Sequence, residues 1–412
     1  MQPAPATPRR RTPRRLAAGI LLATVLTSSI YTSLTLAGPP PAATAIVALP
    51  SMSAANPTAV QWPEFGRGAV GALGFDGILD SHGPTDSFPI ASITKVITAL
   101  VVLSVAPLKA GEDGPDITMT EADVDHYFEA IAENGSNAPV VAGTVLTERQ
   151  LLEAMMLPSA NNYSVTLAEW AFGSVERYLE AANAWLLAHN LTGTTVTNTS
   201  GIGPSNTSTT QDLVALGSLA LAHPVLSEVT ALTESQLPGA GTIRNLNTLL
   251  GIEGIFGIKT GTDDESGACI LFAATIPVGT RSVTVVGVIL GADSRAERDS
   301  AALGVVRSIS AGFHEAPLIT AGEVVGTYQT PWGQRADLVA TESVSVLLWQ
   351  DATVTTTAET SPITTVTQDT RVGTLTFSLP AASSGGARTV DVPLHVTSGI
   401  TYPDPWWRLT HP

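Results

Sequence analysis

The sequence predicts an α+β fold. An antiparallel sheet is flanked by helices, an all-α subdomain is inserted into it, and a small all-β C-terminal domain follows. Three observations predict this. Residues 68–73 and 77–80 form strand-length apolar runs around a Phe75-Asp76-Gly77 turn, and residues 255–259, 268–276 and 282–290 do so again much later. Between them, helical periods and caps dominate, so early and late strands share one sheet across an insertion, with a cleft between the two parts. Beyond residue 316, Thr- and Val-rich runs at 323–328, 344–349, 352–357, 363–367, 374–379 and 388–393 read as the strands of a small sandwich.

Taken in order, the chain starts with Arg9, Arg10, Arg11, Arg14 and Arg15, followed by Leu16–Ala37, 22 residues without a charge. A basic segment before an apolar one is an export signal whose basic side stays in the cytoplasm. The run is long enough to span a bilayer, while Ala43-Thr44-Ala45 offers an A-x-A cleavage site. Residues 1–38 are therefore read as either a membrane anchor or a cleaved signal, and the remainder as extracytoplasmic, in the cell envelope or secreted. Residues 39–63, rich in Pro, Ala, Ser and Thr, read as a linker.

A helix opens at Ser92 and runs to about Ser104, and its Val and Leu content marks it as buried. A polar turn over 109–115 makes Lys109 a surface residue. Residues 120–133 are helical. Thr147-Glu-Arg-Gln150 has capping-box form and announces a helix that Pro158 ends. Further helices are expected near 162–171, 174–189 and Thr210–Ala222, with a Thr-, Gly-, Asn- and Ser-rich loop over 192–209. A closing helix over 295–313 completes a domain spanning 64–315, and 316–412 form the second.

Composition narrows the function. The net charge is −16, and beyond residue 38 there are 36 acidic against 15 basic residues. Such a surface excludes nucleic acid, which needs a basic face. The lone cysteine, Cys269, sits in an apolar run and reads as a core residue. The seven histidines form no H-E-x-x-H or close pair, and no G-x-S-x-G occurs. Neither a metal site nor a His-based triad is expected, and no cofactor.

Three motifs remain. Ser92-Ile-Thr-Lys95 places a hydroxyl and an amine on one helix face, beside an apolar run where a Lys loses its charge and acts as a base. Of 20 basic residues 17 are Arg, and Lys95, Lys109 and Lys259 are the only lysines. Arg cannot be deprotonated, so a chain built on Arg keeps Lys where that matters. Ser159-Ala-Asn161 follows a helix end, and Lys259-Thr-Gly261 ends a strand pattern. Singly these are a helix cap, a turn and a strand end.

Together, and in this order, they resemble the serine penicillin-recognising enzymes, whose S-x-x-K, S-x-N and K-T-G elements line one cleft. The likeness is strongest to the low-mass penicillin-binding proteins, the serine D-alanyl-D-alanine carboxypeptidases. It extends over Ala91-Ser-Ile-Thr-Lys-Val-Ile-Thr-Ala-Leu100, Leu157-Pro-Ser-Ala-Asn-Asn162 and Gly257-Ile-Lys-Thr-Gly-Thr262, and covers roughly residues 68–313. The resemblance implies that Ser92 is the nucleophile and Lys95 its base. Ser159 and Asn161 relay a proton to the leaving amine and hold the substrate amide. Lys259, Thr260 and Thr262 bind the substrate carboxylate, and Gly261 admits the substrate backbone. The backbone N–H groups of Ser92 and Thr262 form the oxyanion hole. The implied partners are peptidoglycan stem peptides ending in D-Ala-D-Ala, with β-lactams as inhibitors.

Two other readings stay open. A class A-like β-lactamase would carry E-x-x-L-N after the second motif; here the nearest match, Glu176-Arg-Tyr-Leu-Glu180, ends in Glu. The other is a non-catalytic envelope protein that keeps the fold.

Overall fold

The computed structural model describes residues 12–50, 58–75, 77–382 and 386–411. Arg9, Arg10 and Arg11, Asp76 of the first turn and residues 51–57 of the expected linker lie outside these. The main sheet has five antiparallel strands in the spatial order Ile255–Asp263, Gly267–Val278, Arg281–Ala292, Arg67–Ala72 and Asp80–His82. Early and late strands thus meet across the insertion, as the sequence predicts. The middle strands run Leu271-Phe272-Ala273 and Val285-Val286 without exposure, because helices cover both faces. Thr210–Ala222 packs on one face and Arg295–Ser310 on the other.

Several boundaries differ from expectation. The second strand begins at Asp80 rather than at Gly77. The late strands are longer than their apolar runs, since ladder pairing continues through polar residues as far as Asp263↔Gly267. Lys259 therefore lies inside a strand and not at its end. The closing helix stops at Ser310, and Phe313–Ile319 leaves it as a strand paired with Val344–Trp349.

The inserted part is helical. Thr94–Val105 is its axis, with every residue from Thr94 to Leu103 buried, as an all-round apolar helix must be. Around it lie Glu121–Ala132, Glu148–Met156, Asn161–Phe172 and Val175–Ala188. Thr120 with Asp123, and Thr147 with Gln150, form capping boxes that satisfy orphan N–H groups at two of these starts. Helix Pro224–Ala231, with Pro at its first position, and the hairpin Glu234–Leu237/Gly241–Arg244 escaped the sequence reading.

The C-terminal part is all β. Its six-stranded sheet runs Ala45–Val47, Val324–Gln329, Arg335–Ala340, Gly386–Val396, Arg371–Ala382, Thr355–Thr360 around a core of Leu338, Leu375, Phe377, Val392 and Leu394. Residues 363–367 are not a strand. They make only isolated bridges, Ala43↔Ile363 and Val366↔Ile400. The first strand, Ala45–Val47, comes from the segment expected as linker.

Candidate active site

The site is built where the axial helix meets the sheet. A single 3-10 turn, Ala91–Ile93, leads into Thr94–Val105. Ala91 takes φ +44, and its carbonyl faces Gly201 at φ +85. A Cβ at Gly201 would come within 1.9 Å of that oxygen, so no other residue fits there. The tight turn leaves Ser92 partly exposed on the cleft floor between buried neighbours.

Lys95 is fully buried one turn on. Its Nζ donates to Ser92 Oγ at 3.0 Å, Asn161 Oδ1 at 2.8 Å and the Ser200 carbonyl at 2.8 Å. The last two partners are acceptors only. In the neutral amine they take both N–H bonds, and the lone pair is left facing the Ser92 hydroxyl. Burial, and then the Lys259 charge, hold the Lys95 amine well below its ordinary value.

Ser159 sits opposite, 3% exposed, in the left-handed region at φ +63. Its Oγ has no partner among the described residues and borders the same small cavity as Ser92, Thr260 and Gly261. Strain and an unsatisfied buried hydroxyl coincide at one residue, as they do where function demands both. Asn161 is the first residue of its helix, and its N–H donates to the Ser136 carbonyl at 2.7 Å.

The third wall is the strand Ile255–Asp263. A Cβ on Gly261 would meet Ala91 Cβ at 2.9 Å and Ser92 N at 3.1 Å, so only a bare backbone lies this close to the nucleophile turn. Lys259 is buried and donates to the Thr260 carbonyl at 3.0 Å. Burial, aided by the Arg298 charge, lowers its amine to about 7. The Thr262 hydroxyl, exposed at the strand edge, donates to the Gly261 carbonyl. The three motifs therefore surround one cleft, about 890 Å³ in volume, reached by Ser92, Asn161 and Thr262.

The structure adds residues that the sequence reading missed. Arg298, 2% exposed, borders the cavity shared by Ser159, Thr260 and Gly261, and donates to Asp299 Oδ1 through Nε and Nη2. A signal was present: Arg298 continues the buried stripe of Ala301, Ala302 and Val305 at helical spacing, where a charge is out of place. Ser200 enters through its carbonyl alone, which leaves no trace in residue type. Glu176 is exposed and does not line the cleft, so nothing puts it in the position of a lactamase Glu.

Comparison with known proteins agrees with this geometry. A family model described as D-alanyl-D-alanine carboxypeptidase matches residues 76–294. A D-alanyl-D-alanine carboxypeptidase from Streptomyces sp. (strain K15) is 30% identical over 232 residues, 52% of this chain and 76% of the relative. The crystal structure of the Streptomyces K15 DD-transpeptidase superposes with a TM-score of 0.53 at 27% identity, over 64% of this chain and 98% of that one. Penicillin binding protein 5 from Haemophilus influenzae, at 18% identity, shares the fold over 86% of this chain and 99% of its own, with a TM-score of 0.58. With a family model that spans more than half of its length and a relative matched over most of its own, the chain belongs to the D-alanyl-D-alanine carboxypeptidase family of serine hydrolases.

Proposed function

We propose that this enzyme removes the terminal D-Ala from peptidoglycan stem peptides through an acyl-enzyme on Ser92. Neutral Lys95 takes the Ser92 proton as Oγ attacks the carbonyl carbon of the D-Ala-D-Ala bond. The oxyanion is held by the backbone N–H groups of Ser92 and Thr262. Collapse breaks the peptide bond, and the leaving D-Ala amine takes the proton from Lys95 by way of the Ser159 hydroxyl. Asn161 holds the Lys95 amine and the substrate amide. Water then attacks the ester with Lys95 again as base, since Glu176, the nearest match to the lactamase Glu, is exposed and outside the cleft lining. Lys259, Thr260 and Thr262 receive the substrate carboxylate, and Arg298 adds a second cation to that subsite. β-Lactams acylate Ser92 in the same way and inhibit. The catalytic unit is the segment 64–315 and the β unit 316–412, the latter completed by Ala43 and strand Ala45–Val47, and both are carried outside the cytoplasm by the apolar helix Leu16–Ala37.

The observation that carries this reading is the Lys95 amine, with two acceptor-only partners and its third direction on Ser92 Oγ. A fluorescent penicillin tests it. The wild-type chain should give a stable covalent label that Ser92→Ala lacks. Lys95→Arg keeps the charge but cannot deprotonate, and should also lose the label. Substantial labelling of Lys95→Arg would refute the base assignment, and rapid turnover of the label would indicate a lactamase.

A further inference from the structure

We propose that the helix Thr12–Ala37 is retained in the mature enzyme, and that the short helix Pro405–Thr410 locks onto its outer end and sets Trp406 into the lipid interface. No residue of the span Leu16–Ala37 is buried by protein, and only Thr32, Thr35 and Leu36 near its end are partly covered. Its 22 residues reach about 33 Å at 1.5 Å per residue, enough for the roughly 30 Å hydrocarbon core. Yet its last turns are engaged. Arg408 Nη2 donates to the Thr35 carbonyl at 2.9 Å and also to the Gly38 carbonyl. Tyr31 Oη donates to the Leu409 carbonyl at 2.7 Å. The Arg408 guanidinium thus satisfies carbonyls that the end of a helix leaves without partners, and a cation suits the negative end of the helix dipole.

The chain just beyond the helix is part of the folded body. Ala43 is buried and exchanges backbone hydrogen bonds with Ile363 at 2.7 and 2.9 Å. Ala45–Val47 pairs with Val324–Gln329. Cleavage after Ala45 would remove Ala43 from the core of the β unit, shorten this strand, and strip Arg408 of both carbonyl partners. The Ala43-Thr44-Ala45 segment is structural, which argues against its use as a processing site.

Retention gives the aromatic residues here a purpose. Trp407 packs edge-on against Trp332 at 5.6 Å and stacks on His411. Its neighbour Trp406 is 75% exposed, and Tyr402 at 59% and the span's own Tyr31, bonded to Leu409, are exposed as well. Exposed Trp and Tyr at the end of a bilayer-long apolar helix match the aromatic belt of a membrane–water interface. The two contacts, one to the helix and one to lipid, fix the orientation of the β unit against the bilayer and leave it no freedom to swivel on a linker.

The test uses the full chain, purified from membranes and returned to phosphatidylcholine bilayers. Its intact mass should include the whole span Leu16–Ala37; a mature chain starting beyond Ala37 would overturn retention. Phosphatidylcholine brominated near the headgroup should quench tryptophan fluorescence, and Trp406→Phe should abolish most of that quenching. Quenching that is unchanged in Trp406→Phe would overturn the lipid contact. Because the one native cysteine, Cys269, is buried, a Leu34→Cys/His411→Cys pair, at two positions that line one pocket between the helices, offers two thiols and leaves Arg408 in place. A short bis-maleimide should join them within one chain, and no link would overturn the lock. Penicillin labelling reports folding of each variant, since none of these residues borders the cleft.

Discussion

At the scale of single residues, two buried lysines set opposite limits on the reaction. The Lys95 amine is held well below its ordinary 10.5 by burial and by Lys259. Its neutral, base-competent fraction rises with pH. Lys259 sits at about 7 and is proposed to act as a cation, so its useful fraction falls as pH rises. The profile of kcat/KM for D-Ala release should therefore be bell-shaped, with Lys95 on the acid limb and Lys259 on the alkaline one. Arg stays charged at any accessible pH, so Lys259→Arg should lose the alkaline limb. An alkaline limb that stays in place in that variant would refute the assignment. The same burial costs stability. Below 10.5 the unfolded chain binds protons that these folded lysines reject, so stability rises with pH from the folded values toward that figure. Six of the eight residues named from the motifs line the cleft or the small cavity that shares Ser92 and Thr262 with it, and Lys95 and Lys259 are buried beside them, because residue type and spacing carry that information. The strain and missing partner of Ser159 were not legible, since both depend on backbone torsion and on what lies across the cavity.

At the scale of elements, the loop over 192–209 does more than its composition suggests. Its hub is Asn206, which is fully buried. Oδ1 accepts from Thr197 N at 2.8 Å and from Asn198 N at 3.2 Å, while Nδ2 donates to Asn198 O at 2.9 Å and Thr94 Oγ1 at 3.1 Å. Its own carbonyl accepts from Ile90 N. These bonds pin the loop to the nucleophile turn and so place the Ser200 carbonyl on Lys95. Asn206→Ala should destabilise the protein by about 3 kcal/mol, as loss of a buried hydrogen-bond network does. It should also slow penicillin acylation on the order of tenfold, because a small displacement misaligns the base. Asn206→Asp keeps the acceptor half and should fall between. If Tm drops while the acylation rate holds, the loop is a structural support only. The sequence could name this stretch a loop because Gly and Asn are local signals. The partners of Asn206 lie on other elements, and no local pattern announces them. The capping box at Thr147 was legible for the opposite reason: every participant lies within three residues. Strand Ala45–Val47 was not, since its partner Val324–Gln329 is supplied by the far end of the chain.

At the scale of the whole molecule, part of the acidic excess, −16 in all, lies at the mouth of the cleft. The cleft rim carries exposed Glu133, Asp264, Glu265 and Asp293 against Arg295, and none of these acids is ion-paired among the described residues. The cations Lys259 and Arg298 lie deeper, where the terminal carboxylate is expected. The potential thus changes sign with depth, from negative at the mouth to positive at the carboxylate subsite. A stem peptide with a free amine on its side chain and a carboxylate at its end complements both zones, whereas one whose amine is acetylated complements only the inner zone. Paired peptides differing only in that acetyl group should differ in kcat/KM, with the free amine preferred. Rim charges exposed to water are screened over a Debye length of about 8 Å at physiological ionic strength, so the preference should shrink as salt is raised. Replacing Asp264 and Glu265 by Asn and Gln should shrink it at low salt, with penicillin acylation unaltered because neither residue touches the reacting groups. A preference that ignores both salt and these substitutions would mean that the side-chain amine is read by shape or not at all, and that the rim charge serves only solubility.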